Sequence, residues 1–209
     1  RPPTPEEKRI IKAAVDSVIS YPVALGGIAV LSARDGGIDS VAVEDLADWF
    51  RGMNFETAEA PSALLVPDPN TGMWAALAEQ LGVDEAEQER VTWLEDDHAS
   101  ARAAAGDARS IAFASLLALP RDLDRLGVKL VRVRARSFGK AALPGPAEIS
   151  EGKYPLYQHL FLTFLPGVRT DAAAFVTFVY SGRGQRLVER EGHVPARQSA
   201  RLVHLSQKP

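Results

Sequence analysis

The segment that decides the fold is YPVALGGIAVLSA, residues 21–33. It is rich in apolar and β-branched residues, a composition that favours β-strand. Gly26 and Gly27 interrupt it, and glycine inside a strand indicates a bend or a bulge. We therefore predict two strand pieces that meet at these glycines.

Helical and strand patterns alternate along the rest of the chain. Apolar residues three and four apart in VAVEDLADWFRG, residues 41–52, predict a short helix that Gly52 ends. Asn70 or Thr71 is expected to cap a second helix, which Gly82 ends. Further strands are predicted at 63–66, 90–96, 111–115, 128–135, 154–164 and 201–207, and further helices after Thr4 and at 98–105. Strands that alternate with helices predict an α/β fold.

The closing segment FVTFVYSGRGQRLVEREGHVPAR, residues 175–197, predicts two helices. Phe175, Phe178 and Val179 lie three and four apart and therefore share one helix face. Residues 181–184 are expected to break this helix, and a second helical run at 185–191 stops at Gly192. By itself this pattern indicates packing rather than function.

Composition excludes several classes of function. The chain has 209 residues, a net charge of −3 and no cysteine. Without a basic surface we expect no nucleic-acid partner, and without cysteine there is no disulfide, Cys-based zinc site or Cys nucleophile. The four histidines show no metal-ligand spacing, and no acid–base or nucleophile constellation is visible. We therefore expect no metal, no cofactor and no enzyme, and the lack of a long apolar run argues against direct membrane insertion.

Taken in order, six segments resemble the substrate-binding proteins of phosphate-type ABC transporters, which have the type-II periplasmic-binding-protein fold. They are RPPTPEE at 1–7, YPVALGGIAVL at 21–31, GIDSVAVEDLADWFRG at 37–52, GDARSIAFASL at 106–116, YPLYQHLFLTF at 154–164 and the closing segment. The closing segment resembles the family ending F-x-x-F-x-x-S-x-x-G-Q-x-x-V-x-x-x-G-Y-x-P. In that ending, Ser181 would cap the last helix.

The resemblance implies a bilobal α/β protein with two sheets, flanked by helices and joined by two hinge crossings. Residues 1–60 and 154–209 would form lobe 1, and residues 61–153 would form lobe 2. The implied function is capture of a small oxyanion, phosphate in the family, for delivery to an ABC permease. The implied location is periplasmic or otherwise extracytoplasmic, although no leader is visible before Arg1.

The chain departs from the family at its anion-binding parts. The family's N-terminal strand and helix, which carry one anion loop, have no counterpart here, so lobe 1 is expected to be incomplete. The second loop, Arg-x-x-x-Ser-Gly-Thr, corresponds to PDPNTGMW at 67–74. Thr71-Gly72 matches Ser-Gly, but Met73 replaces the threonine and Pro67 replaces the arginine. In the return strand Gln158 stands at another family arginine.

The candidate ligand-binding residues are therefore Asn70, Thr71 and Gly72. A helix N-terminus has unpaired N–H groups and a partial positive charge, so a turn at this point attracts anions. Asp68 adds negative charge beside it. The alternative is that the turn only begins a helix.

Two other functions stay open at this stage. The chain could be a sensor or interaction domain of the same fold that has lost the family's phosphate binding, as the missing arginine suggests. It could also be the effector domain of a transcription regulator, a class that shares the bilobal fold.

Overall fold

The computed structural model describes residues 19–54, 57, 60–83, 91–120, 122–136, 138–164 and 171–196. The helix predicted after Thr4 and the strand predicted at 201–207 lie outside these residues. Strands in the described part are β1 Ile19–Ala33, β2 Ser40–Ala42, β3 Leu64–Pro67, β4 Val91–Leu94, β5 Ile111–Ser115, β6 Val128–Leu130, β7 Arg132–Arg134, β8 Tyr157–Phe164 and β9 Val194–Pro195. Helices there are α1 Val43–Phe50, α2 Met73–Leu81, α3 Asp97–Ala105, α4 Pro146–Ser150, α5 Asp171–Tyr180 and α6 Gly182–Arg190.

Strand β1 is continuous across the two glycines, so the prediction of two separate strand pieces is wrong. What changes at Gly27 is the pairing partner. Residues 19–27 pair with β8, whereas Ile28 and the residues after it pair with β5 and then β6. A register shift between Pro22 and Ala24 marks the one irregularity in the β8 ladder. A single strand therefore belongs to two ladders.

The ladder on the second half of β1 has the strand order β4-β3-β5-β1-β6. Strand β3 is parallel to both β4 and β5, and β1 is antiparallel to β5. Strands β8 and β9 pair with the first half of β1, so the two ladders share this strand. Strands β2 and β7 form a separate parallel pair.

Alternation along the strands builds a different core on each face of this ladder. On one face, the large side chains of Ile28, Leu64 and Phe113 pack in one core with Leu46 of α1 and Leu77 of α2. The other face is mostly small, with Ala29, Ala112, Ala114, Ala101 and Ala104 in one cluster. These alanines allow α3 to lie close to the sheet. The result is a mixed α/β fold, as the sequence predicts.

Aromatic packing joins α1 to the ladder that contains β3 and β5. The ring of Phe50 lies 5.3 Å from that of Phe113 and 5.2 Å from that of Trp74, and Trp74 lies 5.2 Å from Trp93. This packing places α1 against the same core as β5 and α2. The division into lobes stays a prediction.

The strand predicted at 128–135 is two strands. Val131 interrupts it and donates its N–H to the carbonyl of Val30 at 2.8 Å. Strand β6 then pairs with β1, while β7 pairs with β2. Alternating apolar residues predicted the extended backbone but not the change of partner.

The closing helices meet at Ser181. Its Oγ accepts a hydrogen bond from the N–H of Gly184 at 3.1 Å, so the prediction that Ser181 caps the last helix is confirmed. Helix α6 begins at Gly182, and the break is one residue long rather than the four predicted.

Candidate functional site

The candidate site lies where three parallel strands end. The carboxyl ends of β4, β3 and β5 meet at the same edge of the sheet because the strands run in one direction. The turn 68–72 follows β3, residues 95–97 follow β4, and Ser115 ends β5. Asp68 donates its N–H to the carbonyl of Leu94 at 2.7 Å, which joins the first two loops.

The turn predicted to bind an anion is held together by its own carboxylate. Pro69–Thr71 forms a single 3-10 turn. Asp68 Oδ1 accepts from the backbone N–H of Asn70 at 2.7 Å and from Asn70 Nδ2 at 2.8 Å. A carboxylate of the chain itself therefore occupies the backbone N–H of Asn70 and one of its two Nδ2 hydrogens.

Helix α2 begins differently from the prediction. Its N-cap is Gly72, which has a left-handed φ of 84° and provides no side-chain capping bond. The prediction that Asn70 or Thr71 caps this helix is therefore wrong. The side chain of Thr71 lies outside the described part of the structure. Gly82 ends α2 as predicted.

The loop after β4 uses its two aspartates for structure. Asp96 caps α3 by accepting from the N–H of Ala99 at 2.7 Å. Asp97 Oδ1 accepts from the N–H of Ser115 and so joins this loop to the end of β5. Burial raises the pKa of Asp97, while the hydrogen bond from Ser115 acts in the opposite direction. The helix predicted at 98–105 is therefore present and begins at Asp97.

Two glutamines connect strand β8 to this edge. Gln158 Nε2 donates to Ser115 Oγ at 3.0 Å. Gln80, on α2, accepts from the N–H of Tyr157 at 3.0 Å and also donates to the Tyr157 carbonyl. The sequence singled out Gln158 only as a replaced arginine and missed Gln80. The sequence signal that could have found Gln80 is a polar residue near the end of a mostly apolar helix.

The charge at this edge is negative. The segments 67–73, 94–98 and 115–119 contain Asp68, Glu95, Asp96 and Asp97 but neither arginine nor lysine. Carboxylates this close together raise the energy of a bound anion, and no guanidinium in these segments offers a charge-assisted clamp. Within these segments, the turn that carries Asn70, Thr71 and Gly72 therefore lies beside carboxylates and has no cation.

The backbone is closely packed where β1 changes partner. A Cβ on Gly27 would lie 3.2 Å from Ile149 Cδ1, and a Cβ on Gly26 would lie 3.5 Å from His193 Nδ1. His193 Nδ1 is buried without a hydrogen-bond partner in the described part of the structure. Burial lowers the pKa of His193. Glycine at both positions leaves room for the side chains of Ile149 and His193 to pack against the backbone of β1.

The fold can be compared with solved structures. A phosphate ABC transporter substrate-binding protein from Clostridium perfringens, crystallised with phosphate, superimposes with a TM-score of 0.69 and 16% identity, over 93% of this chain and 76% of that one. An ABC-type phosphate transport receptor from Vibrio cholerae gives a TM-score of 0.66 and 12% identity, over 92% and 76%. The resemblance to phosphate-type substrate-binding proteins is thus confirmed at the level of the fold. Proteins of this kind bind solutes and are not enzymes.

Similarity of fold extends beyond phosphate. The substrate-binding domain of a molybdenum ABC transporter from Clostridium difficile superimposes with a TM-score of 0.53 and 10% identity, over 93% of this chain and 75% of that one. No family model matches the sequence, and no curated protein is close enough to count as a match. The shared fold therefore does not select a solute.

The described residues show neither a metal-binding cluster nor a membrane-spanning helix. They contain no group of three or more His, Asp or Glu side chains that could hold a metal ion. Within the same part of the chain, every helix is too short or too polar to cross a bilayer.

Proposed function

We propose that this chain is an extracytoplasmic solute-binding domain that serves an ABC permease. The support is its fold, shared with proteins described as phosphate and molybdenum transporter components. The ligand class suggested by these relatives is a small oxyanion. Within that class, we infer that phosphate capture through Asn70, Thr71 and Gly72 is weak or lost.

One observation carries this inference. Asp68 accepts both the backbone and the side-chain donor of Asn70, so an incoming phosphate would have to displace a carboxylate that is covalently part of the turn. Pro67, at the position of the family arginine, is buried in β3 and has no donor. A lost charge-assisted bond is worth roughly 1.5–3 kcal/mol, which corresponds to one to two decades of affinity. The same observation supports a second function, a sensor or interaction domain that no longer binds phosphate.

We also propose where the two lobes divide. One lobe would contain residues 19–27 with β8, β9, α5 and α6, and the other would contain residues 28–156. The crossings would then lie at Gly27–Ile28 and near Leu156, which accepts from the N–H of Ile28 at 3.0 Å. The edge that carries Asn70 and Ser115 would face the cleft between the lobes.

Calorimetric titration of the 209-residue chain with phosphate and sulfate tests the binding proposal. We expect Kd values of about 1 mM or weaker for phosphate, because the turn lacks a cation and the backbone N–H of Asn70 is already bonded to Asp68. Asp68→Asn removes the charge and keeps an acceptor oxygen, so it should tighten phosphate binding. Asp35→Asn, a matched loss of charge in a distant exposed turn, should not.

The outcomes separate the alternatives. Sub-micromolar phosphate binding by the unmodified chain would contradict the loss of phosphate capture. Equal affinities for Asp68→Asn and Asp35→Asn would show that the turn does not contact the anion. Binding of another oxyanion but not phosphate would support a solute-binding domain of altered specificity, and no binding of any anion would favour the interaction domain.

A further inference from the structure

A cavity of about 700 Å³ lies at the opposite edge of the sheet from Asn70. Ala60 and Arg109, on its wall, come before β3 and β5, so the cavity is near the amino ends of these strands. Its floor is apolar and includes Val41, Trp49 and Ala60, with exposed fractions of 1%, 7% and 2%. A volume of this size accommodates a small organic molecule.

Arg134, at the end of β7, lines this cavity together with Arg109. The Nε atom of Arg134 is buried and has no hydrogen-bond partner in the described part of the chain. Buried donors in folded proteins are nearly always paired, so an exception calls for an explanation. Because Nε itself is inaccessible, a carboxylate in the cavity would meet the part of the Arg134 guanidinium that lines it.

The other charged groups of the cavity already have partners. Asp39 Oδ1 lies 2.6 Å from Lys129 Nζ, and Asp45 Oδ2 accepts from the N–H of Ala42 at 3.1 Å. Arg109 donates to the carbonyl of Ala60 at 3.3 Å. The two aspartates disfavour a dianion such as phosphate, whereas the planar guanidinium of Arg134 matches a single carboxylate.

We propose that this cavity is a second ligand site and that it binds a small monocarboxylate with an apolar body. The carboxylate pairs with Arg134, and the apolar body lies on Val41, Trp49 and Ala60. This site shares no residue with the turn 68–72, so the proposal stands independently of the proposed function.

The wild-type chain provides the first test, which needs no substitution. Phenylacetate is added to the ¹⁵N-labelled protein while the Arg134 Nε–H resonance and the Trp49 indole N–H resonance are followed. We expect both to shift saturably, with a Kd of about 1 mM or tighter. 2-Phenylethanol, which has the same ring without the carboxylate, should bind about tenfold more weakly or worse because it lacks the charge-assisted pair. Absence of a saturable shift, or equal binding of the alcohol, overturns the proposal.

Matched variants provide the second test. Arg134→Gln should weaken phenylacetate binding by about tenfold or more, while Arg132→Gln, on the same strand but outside the cavity, should stay within about twofold of wild type. Circular dichroism establishes that both variants are folded. Equal losses in the two variants would indicate general attraction to positive charge and overturn the proposal. Displacement of phenylacetate by equimolar phosphate would overturn the assignment of a monocarboxylate.

Discussion

At the scale of single residues, Gly184 shows how closely the last two helices approach. A Cβ built on this glycine would lie 2.5 Å from the carbonyl oxygen of Val179 and 2.7 Å from Val179 Cα, and it would also clash with the Phe178 carbonyl. Backbone atoms cannot move away as a flexible side chain can. Gly182, two residues earlier, meets only the end of the Arg186 side chain, at 3.5 Å.

These two glycines make a matched pair of predictions. Gly184→Ala should reduce the free energy of unfolding by about 1–3 kcal/mol, because it overpacks the helix junction. Gly182→Ala should leave it unchanged or raise it by up to about 1 kcal/mol, since alanine favours the helix. Urea denaturation of both variants measures the difference. Equal stabilities would mean that the close approach at Gly184 is absent in solution.

His193 predicts a dependence of stability on pH. Burial lowers the pKa of His193 below its ordinary value of 6.5, although a backbone hydrogen bond at Leu25 and the charge of Glu191 act in the opposite direction. Because the folded state binds the proton more weakly than the unfolded state, this residue lowers stability as the pH falls below 6.5. Above pH 6.5, His193 does not lower stability in this way.

The measurement is the free energy of unfolding at about pH 7.5 and about pH 5, for wild type and His193→Gln. Glutamine does not titrate in this range, so the variant should lose less stability than wild type on acidification. A loss in the variant as large as in wild type would show that His193 is not the residue responsible.

At the scale of helices and strands, the cap on α6 is a contribution that can be isolated. Ser181→Ala removes the acceptor for the Gly184 N–H and should cost about 1 kcal/mol of stability. Ser181→Asp keeps an acceptor and places negative charge at a helix N-terminus, so it should remain close to wild type. Thermal or urea unfolding distinguishes the two variants. If aspartate were as destabilising as alanine, the Ser181 hydroxyl would contribute mainly through its bond to the Phe178 carbonyl at 2.6 Å.

Elements with a strong local signal were predictable from the sequence. Helix α1 follows from apolar spacing, and its residues Leu46, Ala47, Trp49 and Phe50 are all buried. Pairing was not predictable, because the change of partner within β1 depends on strands 81 to 145 residues away. The interruption of β6 and β7 at Val131 has the same origin, a bond to β1.

The place of the turn in the fold was predictable, but its bonding was not. The turn 68–72 lies at the carboxyl edge of strands β4, β3 and β5, and its role in binding stays a prediction. The acceptor of the N–H groups in this turn depends on two local features, the left-handed Gly72 and the single 3-10 turn after Asp68. The spacing of apolar residues in the sequence reveals neither feature. The cavity beside Arg134 was missed altogether, because its residues come from five separate segments of the chain.

At the scale of the whole molecule, the two halves of β1 have different surroundings. Residues 28–31 are fully buried, with a core on each face of the sheet. The partner of residues 19–27 is β8, whose side chains are half-buried or exposed. If the lobes divide at Gly27, these halves belong to bodies of different stability.

Native-state hydrogen exchange tests this division. Amides of residues 28–33 that bond to β5 and β6 should exchange about two orders of magnitude more slowly than amides of residues 20–27 that bond to β8, because local opening of the second set exposes less buried surface. Gln80→Ala removes the side chain that holds both the N–H and the carbonyl of Tyr157, so it should speed exchange in residues 20–27 and β8 while leaving residues 28–33 unchanged. Uniform protection along β1, with a uniform response to Gln80→Ala, would mean that the two ladders open as one unit and would refute a boundary at Gly27.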